Sequence, residues 1–230
     1  MIARLGEDAE LRDLTAQWFA RASKGEYSYH FLWMGRPVIQ FPQDLVATQE
    51  ILWNLKPDLV IETGIAHGGS LIFYASILEL IGKGQVVGVD IEIRPHNREA
   101  IEAHPMFKRI ELLEGSSTDP AIFERIRERA AGRETVLVAL DSNHTHDHVL
   151  AELRLYSQLV TPGSYLIAFD TIVERMPPEF SANRPWKPGD SPATAVAQFL
   201  KETDRFAVDE TIDHKLLISV APGGYLRCVK

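Results

Sequence analysis

The strongest constraint on the fold is an alternation along the chain: from Leu59 onward, short apolar runs alternate with amphipathic stretches. This rhythm is typical of parallel strands joined by crossover helices. The predicted strands are apolar, partly β-branched and bounded by polar or glycine residues, and they cover residues 59–63, 85–91, 110–114, 135–141 and 165–170. Apolar residues at three- and four-residue spacings predict helices at 69–81, 120–131 and 147–160. The sequence therefore predicts an α/β fold with a mostly parallel sheet.

Further elements flank this core on both sides. Before it, helices are predicted at 8–22 and 44–54, joined by an aromatic segment at 27–36 that we interpret as a lid or an oligomer contact. After it, residues 173–192 contain five prolines and predict a long loop at the sheet edge where ligands bind. The end of the chain predicts a helix at 193–202, an apolar stretch at 206–209 and an antiparallel hairpin, 216–220 with 225–229, turned at 222–224. We divide the chain into an N-terminal helical and aromatic segment, 1–56, and a main domain, 57–230.

The charge and composition exclude several classes of partner. Acidic residues outnumber basic ones, 32 against 24, and the formal charge of −8 disfavours nucleic acid and anionic membranes. No apolar run is long enough to cross a bilayer, and residues 1–10 lack the apolar core of a secretory signal. Cys228 is the only cysteine, which suits a reducing compartment. We expect a cytoplasmic protein.

A glycine-rich segment directly follows the first predicted strand. Its glycines permit a tight turn and a close approach of a ligand to the backbone. They do not have the G-x-G-x-x-G spacing of dinucleotide-binding loops, and a carboxylate, Glu62, stands where that pattern expects glycine. A carboxylate suits the cationic amino-acid portion of S-adenosylmethionine and would repel a pyrophosphate, so we favour that cofactor over NAD. The candidate cofactor-binding residues here are Glu62, Gly64, His67, Gly68, Gly69 and Ser70.

The ends of the next two predicted strands supply further cofactor-binding candidates. Asp90 lies 28 residues after the loop carboxylate, as expected for one βαβ unit, and it is followed by Ile91. An acidic side chain at this position accepts hydrogen bonds from both ribose hydroxyls. Ser116 and Ser117, after the third strand, are candidates for contact with the adenine end of the cofactor. For Ser117, as for Asp119, capping of the next helix is the favoured alternative.

Acidic residues also end the fourth and fifth predicted strands, at Asp141 and Asp170. Because neighbouring strand ends meet at one edge of the sheet, these side chains are predicted to hold a hard divalent cation, for which Mg²⁺ is the natural candidate. His144, just beyond Asp141, is the predicted general base that removes a proton from a substrate hydroxyl. His146 and His148 are better explained as part of the following helix. A zinc site made by the three histidines is a weaker alternative, since their spacing matches no standard ligand pair.

Several short motifs of this chain occur together in one known family. They are Trp33-Met34-Gly35, Glu62-Thr63-Gly64, Gly68-Gly69-Ser70, Asp141-Ser142-Asn143-His144, Arg184-Pro185-Trp186 and Pro222-Gly223-Gly224-Tyr225-Leu226. They make the chain, from about residue 29 to its end, resemble the cephalosporin hydroxylase and rhamnosyl O-methyltransferase family. The resemblance implies a Rossmann-like class I methyltransferase fold and Mg²⁺-dependent methyl transfer from S-adenosylmethionine to a hydroxyl of a sugar or small natural product. It also implies that Asp141 and Asp170 bind the metal and that His144 is the base.

Two positions depart from the family pattern, and the slighter departure is Lys187, where relatives often carry a glycine. Phe169 stands where relatives usually carry a glutamate, so weaker Mg²⁺ binding is expected. This departure keeps open an inactive cofactor-binding subunit that supports a partner enzyme, although retention of Asp141 and His144 argues against it. An antibiotic-modifying member of the family is a further alternative, and an NAD-dependent dehydrogenase is disfavoured by the glycine spacing. We expect a homo-oligomer, because the aromatic segment is costly to expose.

Overall fold

A central sheet organises the molecule, for which a computed structural model describes residues 1–230. The strands in chain order are β1 (Phe31–Trp33), β2 (Arg36–Val38), β3 (Leu59–Thr63), β4 (Gln85–Asp90), β5 (Ile110–Glu114), β6 (Val136–Leu140), β7 (Tyr165–Ala168), β8 (Phe206–Val208) and β9 (Tyr225–Cys228). Seven of them form the sheet in the order β5-β4-β3-β6-β7-β9-β8, and β1 pairs separately with β2. Strands β3 to β7 run parallel, whereas β9 is antiparallel to β7 and β8. The strand order reverses at β3, which lies between β4 and β6.

Helices cover both faces of this sheet. They are α1 (Ile2–Glu7), α2 (Ala9–Ala22), α3 (Pro42–Leu55), α4 (Gly69–Ile81), α5 (Pro95–Glu102), α6 (Pro120–Ala130), α7 (His146–Tyr156), α8 (Pro192–Glu202) and α9 (Glu210–Leu216). Successive residues of β3 point to opposite faces: Val60 packs in one core cluster with α3 and α4, while Leu59 and Ile61 pack in another with α6, α7 and α8. None of the nine helices has the length and apolar composition needed to cross a membrane.

The predicted core elements are confirmed, with strand ends shifted by at most two residues. Residues 173–192 contain no regular element longer than a 3₁₀ turn before α8, as their prolines predict. The sequence does not predict the pair β1 and β2 or the helices α1, α5 and α9. Helix α5 has only 8 residues and buries only Asn97 and Ile101, so its sequence lacks the repeating apolar pattern that would indicate a helix.

The predicted C-terminal hairpin is wrong in its first strand. Residues 216–220 form no strand, because α9 extends to Leu216 and the backbone N–H of Val220 donates to the buried carboxylate of Asp44 at 3.0 Å. β9 pairs instead with β8 and β7, so the antiparallel C-terminal pairing exists but joins other segments. The pattern of apolar residues along 216–220 does not show that the Val220 N–H, which a strand would use in its ladder, donates to Asp44 of α3 instead.

The N-terminal aromatic segment packs both against other parts of residues 1–56 and against α4 of the main domain. Tyr27 contacts Trp18 and Phe41 edge-on, with ring centroids 5.1 and 5.4 Å apart. The indole nitrogen of Trp33 donates to Ser76 of α4 at 3.0 Å. These contacts fix the path of the chain toward α3 and bring the intervening residues to the ligand-binding edge of the sheet.

Candidate active site

A cavity of about 760 Å³ opens at the carboxyl ends of β3, β6 and β7. The loops after these strands, the segment between α2 and α3, and part of the proline-rich loop line it. Ligand sites of open α/β sheets form at this edge, where the strand order reverses. The predicted site residues in its wall are Gly64, His67, Gly69, Ser70, Asp141, His144 and Asp170.

Glu62, near the end of β3, is fully buried. Its Oε2 accepts a hydrogen bond from the Ser70 hydroxyl at 2.7 Å, whereas its Oε1 has no partner. Burial raises the pKa of the Glu62 carboxyl to about 8, although the hydrogen bond from Ser70 favours the charged form. A cation against Oε1 would both satisfy this oxygen and restore its charge. Glu62 itself does not line the main cavity, and its contact with the cationic portion of S-adenosylmethionine stays a prediction.

The glycine loop lies so close to neighbouring backbone that Gly64 and Gly69 could not carry side chains. Gly64 has a φ of +89°, and a Cβ added to it would lie 2.0 Å from the carbonyl oxygen of Asp141. A Cβ on Gly69 would lie 2.1 Å from the carbonyl oxygen of Pro37. The guanidinium of Arg36 fastens the loop from outside by donating to the His67 carbonyl at 2.6 and 3.1 Å. The loop is thus a rigid cradle, and His67 contributes its backbone to it.

Asp90, the predicted ribose acceptor, also contacts this loop. Its Oδ2 accepts hydrogen bonds from the backbone N–H groups of Ile65 and Ala66, at 2.8 and 3.2 Å. Asp90 therefore holds the loop, and its ribose role stays a prediction. Ile91, next along the chain, is exposed. Neither Asp90 nor Ile91 lies in the wall of the main cavity.

The serines after β5 lie away from the main cavity. Asp119 caps α6 by accepting from two backbone N–H groups, which confirms the capping alternative for that residue. Ser117 does not cap α6, since Asp119 is the N-cap residue; Ser117 is buried and its hydroxyl lies 3.1 Å from His148 Nε2. The Ser116 hydroxyl pairs with Thr118 at 3.0 Å. Adenine contact by Ser116 or Ser117 stays a prediction.

Asp141, His144 and Asp170 form one compact cluster, with potential ligand atoms within 4.8 Å of one another. His144 Nδ1 lies 3.0 Å from Asp170 Oδ2, and its Nε2 lies 3.9 Å from Asp141 Oδ1. The approach to Asp170 is close but not aligned as a hydrogen bond, so Nδ1 has no hydrogen-bond partner. The structure thus brings together the three residues for which the sequence predicts the reaction chemistry.

Burial and neighbouring charges shift the pKa values of Asp141 and His144. Burial raises the pKa of Asp141 well above its usual range, and the negative charges of Asp170 and Glu62 add to the effect. Burial is the largest single influence on His144 and opposes its protonation, but the nearby carboxylates of Asp170 and Glu152 together outweigh it and raise the pKa of the imidazole. A divalent cation among these groups would relieve the repulsion between the carboxylates.

The other two histidines of the segment serve structural contacts. The His146 ring lies 2.8 Å from the Thr194 hydroxyl and 3.1 Å from the Gln198 amide oxygen, so it joins α7 to α8. His148 Nε2 lies 3.5 Å from Glu152 Oε1, next to Ser117. Neither belongs to the cluster around Asp141, which removes support from a zinc site of three histidines.

Sequence reasoning missed two contacts of the cluster. Gln40 donates from its amide nitrogen to Asp141 Oδ2 at 3.0 Å, although 101 residues separate them in sequence. Trp186 stacks on the His144 ring, with centroids 5.6 Å apart and planes 28° from parallel. The Arg184-Pro185-Trp186 motif marks Trp186 for attention, but no local signal marks Gln40.

The residues present fit both expected groups. Mg²⁺ is usually held by one or two carboxylates together with water, and Asp141 and Asp170 meet this requirement. Phe169 contributes nothing to it, because its side chain is buried in the apolar core. The unpartnered carboxylate oxygen of Glu62 and the crowded backbone at Gly64 and Gly69 fit a cationic cofactor that lies against the loop.

Comparison with known proteins agrees with this geometry. The family model described as rhamnosyl O-methyltransferase/CmcI matches residues 25–229. A rhamnosyl O-methyltransferase of Mycobacterium tuberculosis is 33% identical over 193 residues, which cover 80% of this chain and 72% of that protein. One from Mycobacterium leprae is 36% identical over 154 residues, covering 65% of each chain. A solved structure of CmcI with Mg and SAM has a similar fold, with a TM-score of 0.62 at 20% identity over 88% of this chain and 78% of that one. The chain therefore belongs to the rhamnosyl O-methyltransferase/CmcI family.

Proposed function

We propose that this protein transfers the methyl group of S-adenosylmethionine to a hydroxyl group of a sugar or small natural product. One observation carries the proposal: a single cavity is lined by the glycine loop and by Asp141, His144 and Asp170. A methyl donor held at the loop and a hydroxyl held at the cluster would meet in that cavity, as direct transfer requires. Membership in a methyltransferase family supports the same reaction.

The residues of the chain have distinct tasks in this reaction. When bound, S-adenosylmethionine supplies an electrophilic methyl group and Mg²⁺ supplies a Lewis acid that lowers the pKa of the hydroxyl. Glu62 accepts hydrogen bonds from the cationic end of the cofactor. Asp141 and Asp170 would hold the metal and thereby orient the hydroxyl. His144 accepts the hydroxyl proton, and the Trp186 ring stacked on it restricts the access of water to that face of the imidazole.

The acceptor is best sought among deoxysugars. The mycobacterial relatives are rhamnosyl O-methyltransferases, and they share a third of their residues with this chain over most of its length. A rhamnose-containing molecule is therefore the first acceptor to test. An antibiotic or another natural product without that sugar is the second candidate, because CmcI belongs to the same family model.

A ligand panel tests the cofactor part of the proposal. A ligand present at about 100 times its Kd stabilises the native state by about 2.7 kcal/mol, which corresponds to a rise in Tm of about 5–10 °C for a chain of this size. We expect that rise with S-adenosylmethionine and S-adenosylhomocysteine and none with NAD. A rise with NAD alone would instead support the dehydrogenase alternative.

The transfer itself is measured with S-adenosylmethionine labelled in its methyl group. Incorporation of label into p-nitrophenyl α-L-rhamnopyranoside, in the presence of Mg²⁺, is the expected result. Binding of S-adenosylhomocysteine without transfer to any hydroxylated compound tested would favour the inactive partner subunit.

We also propose that the protein is a homo-oligomer in the cytoplasm. Tyr27, Ser28 and Tyr29 line the cavity, whereas Leu32 and Met34 expose more than half of their surface to solvent. These exposed apolar side chains lie two positions apart in sequence and would be covered by a second copy. Light scattering is expected to give at least twice the mass of the chain. A monomeric mass at micromolar concentration would contradict this assignment.

A further inference from the structure

Gln40, between β2 and α3, carries a polar atom that the reaction described above does not use. The residue lines the cavity and is almost fully buried, with 4% of its surface exposed. Its amide nitrogen donates to Asp141 Oδ2, but its amide oxygen has no hydrogen-bond partner. Buried carbonyl oxygens are almost always hydrogen-bonded. An unsatisfied one in a cavity wall therefore indicates a donor on the molecule that the cavity receives.

The orientation of this amide follows from its neighbour. The NH₂ end of Gln40 faces Asp141, because its nitrogen lies 3.0 Å from Asp141 Oδ2, which accepts the hydrogen bond. Because the amide nitrogen of Gln40 donates to Asp141, its amide oxygen needs a donor from another group. The nitrogen and the oxygen of this amide therefore have different partners.

The position of Gln40 favours the cofactor as the source of that donor. Gln40 binds Oδ2 of Asp141, whereas His144 approaches the other oxygen, Oδ1, from the side of Asp170. The segment that carries Gln40 packs on the glycine loop, since the Pro37 carbonyl lies directly against Gly69. The segment that carries Gln40 therefore borders the glycine loop at Pro37 and the metal-binding cluster at Asp141.

Glu62, which precedes the glycine loop, carries a second acceptor that lacks a hydrogen bond. Its Oε1 is buried and has no hydrogen-bond partner. A primary ammonium offers three N–H donors and a positive charge, which suit one carboxylate oxygen and one amide oxygen together. The methionine portion of S-adenosylmethionine carries such a group.

We propose that Gln40 is a further cofactor-binding residue, whose side-chain oxygen accepts a hydrogen bond from the ammonium group of S-adenosylmethionine together with Glu62, while its amide nitrogen positions Asp141. The inference rests on the proposed function, because it takes S-adenosylmethionine as the ligand. It adds a contact to the amino-acid end of the cofactor and links that end to the residue expected to hold the metal.

Calorimetry with two matched ligands tests the inference. One is S-adenosylhomocysteine, and the other is its deamino analogue, in which hydrogen replaces the amino group. Gln40→Met keeps the length of the side chain and removes both polar groups. We expect this variant to bind S-adenosylhomocysteine about 10-fold or more weakly, because a hydrogen bond to a charged donor is lost, and to bind the deamino analogue like the wild type.

A second variant separates the two groups of the amide. Gln40→Glu keeps an acceptor oxygen and loses the NH₂ donor, so it should retain most of the affinity for S-adenosylhomocysteine. The matched control is Thr48→Val in α3, because Thr48 is buried with an unpartnered hydroxyl but does not line the cavity. This control should bind both ligands normally.

Each other outcome overturns the assignment. Equal weakening of both ligands in Gln40→Met would show general damage to the cavity. Unchanged binding of S-adenosylhomocysteine, with a higher Mg²⁺ requirement for transfer, would assign the oxygen to the metal. Failure of the wild-type protein to bind S-adenosylhomocysteine at all would instead refute the proposed function, and it is seen before any variant is made.

Discussion

Replacement of His144 with alanine is expected to lower the turnover number of methyl transfer by about 10²–10⁴-fold, the effect typical of a positioned base. His144 is the only nitrogen base in the cluster with Asp141 and Asp170, and its Nδ1 has no hydrogen-bond partner. The affinity for S-adenosylhomocysteine should stay unchanged, because we propose that Glu62 and the glycine loop bind that ligand. Initial rates with labelled S-adenosylmethionine and calorimetry with the product measure the two quantities separately.

His146→Ala is the matched control for this variant. It removes a histidine two positions away whose ring contacts Thr194 and Gln198 outside the cluster, so turnover should stay near the wild-type value. Full activity of His144→Ala would refute the base. Recovery of its turnover at high Mg²⁺ would show instead that His144 is a metal ligand, a role that its distances to both carboxylates also permit.

Removal of divalent metal is expected to lower the rate of methyl transfer by at least about 10²-fold, because Lewis-acid stabilisation contributes several kcal/mol to the transition state. The enzyme is treated with EDTA, freed of the chelator by dialysis and assayed with and without added Mg²⁺. Added Mg²⁺ should restore the rate of the wild-type protein. Asp141→Asn and Asp170→Asn should need more Mg²⁺ for half-maximal rate, since each removes one anionic ligand.

Full activity after dialysis against EDTA would show that the chain works without the metal.

The substitution Phe169→Glu is a poor test of the metal site, because of where Phe169 lies. The sequence suggests that Phe169→Glu would supply the missing ligand and lower the Mg²⁺ requirement, yet this side chain is buried in the apolar core. A glutamate there is expected to destabilise the fold, because an unpaired buried carboxylate is costly.

Much of the fold could be predicted from the sequence because its signals are local. The apolar runs of β3, β5 and β6 and the glycine that begins α4 depend on residues close in sequence. The order of acidic residues at strand ends follows from the same pattern, since the carboxyl ends of parallel strands share one edge. This is why Asp141 and Asp170 could be placed together before the structure was known, with His144 beside them.

The sequence by itself thus determined the parallel core, the glycine loop and the meeting of the acidic strand ends. Only the tertiary structure decided which groups those residues contact. Gln40 reaches Asp141 across 101 residues, Asp44 takes the backbone donor of Val220, and Asp90 accepts from the loop. The physical reason is that hydrogen-bond partners and side-chain burial depend on which distant segments pack together, and no periodicity of apolar residues along the chain encodes that choice.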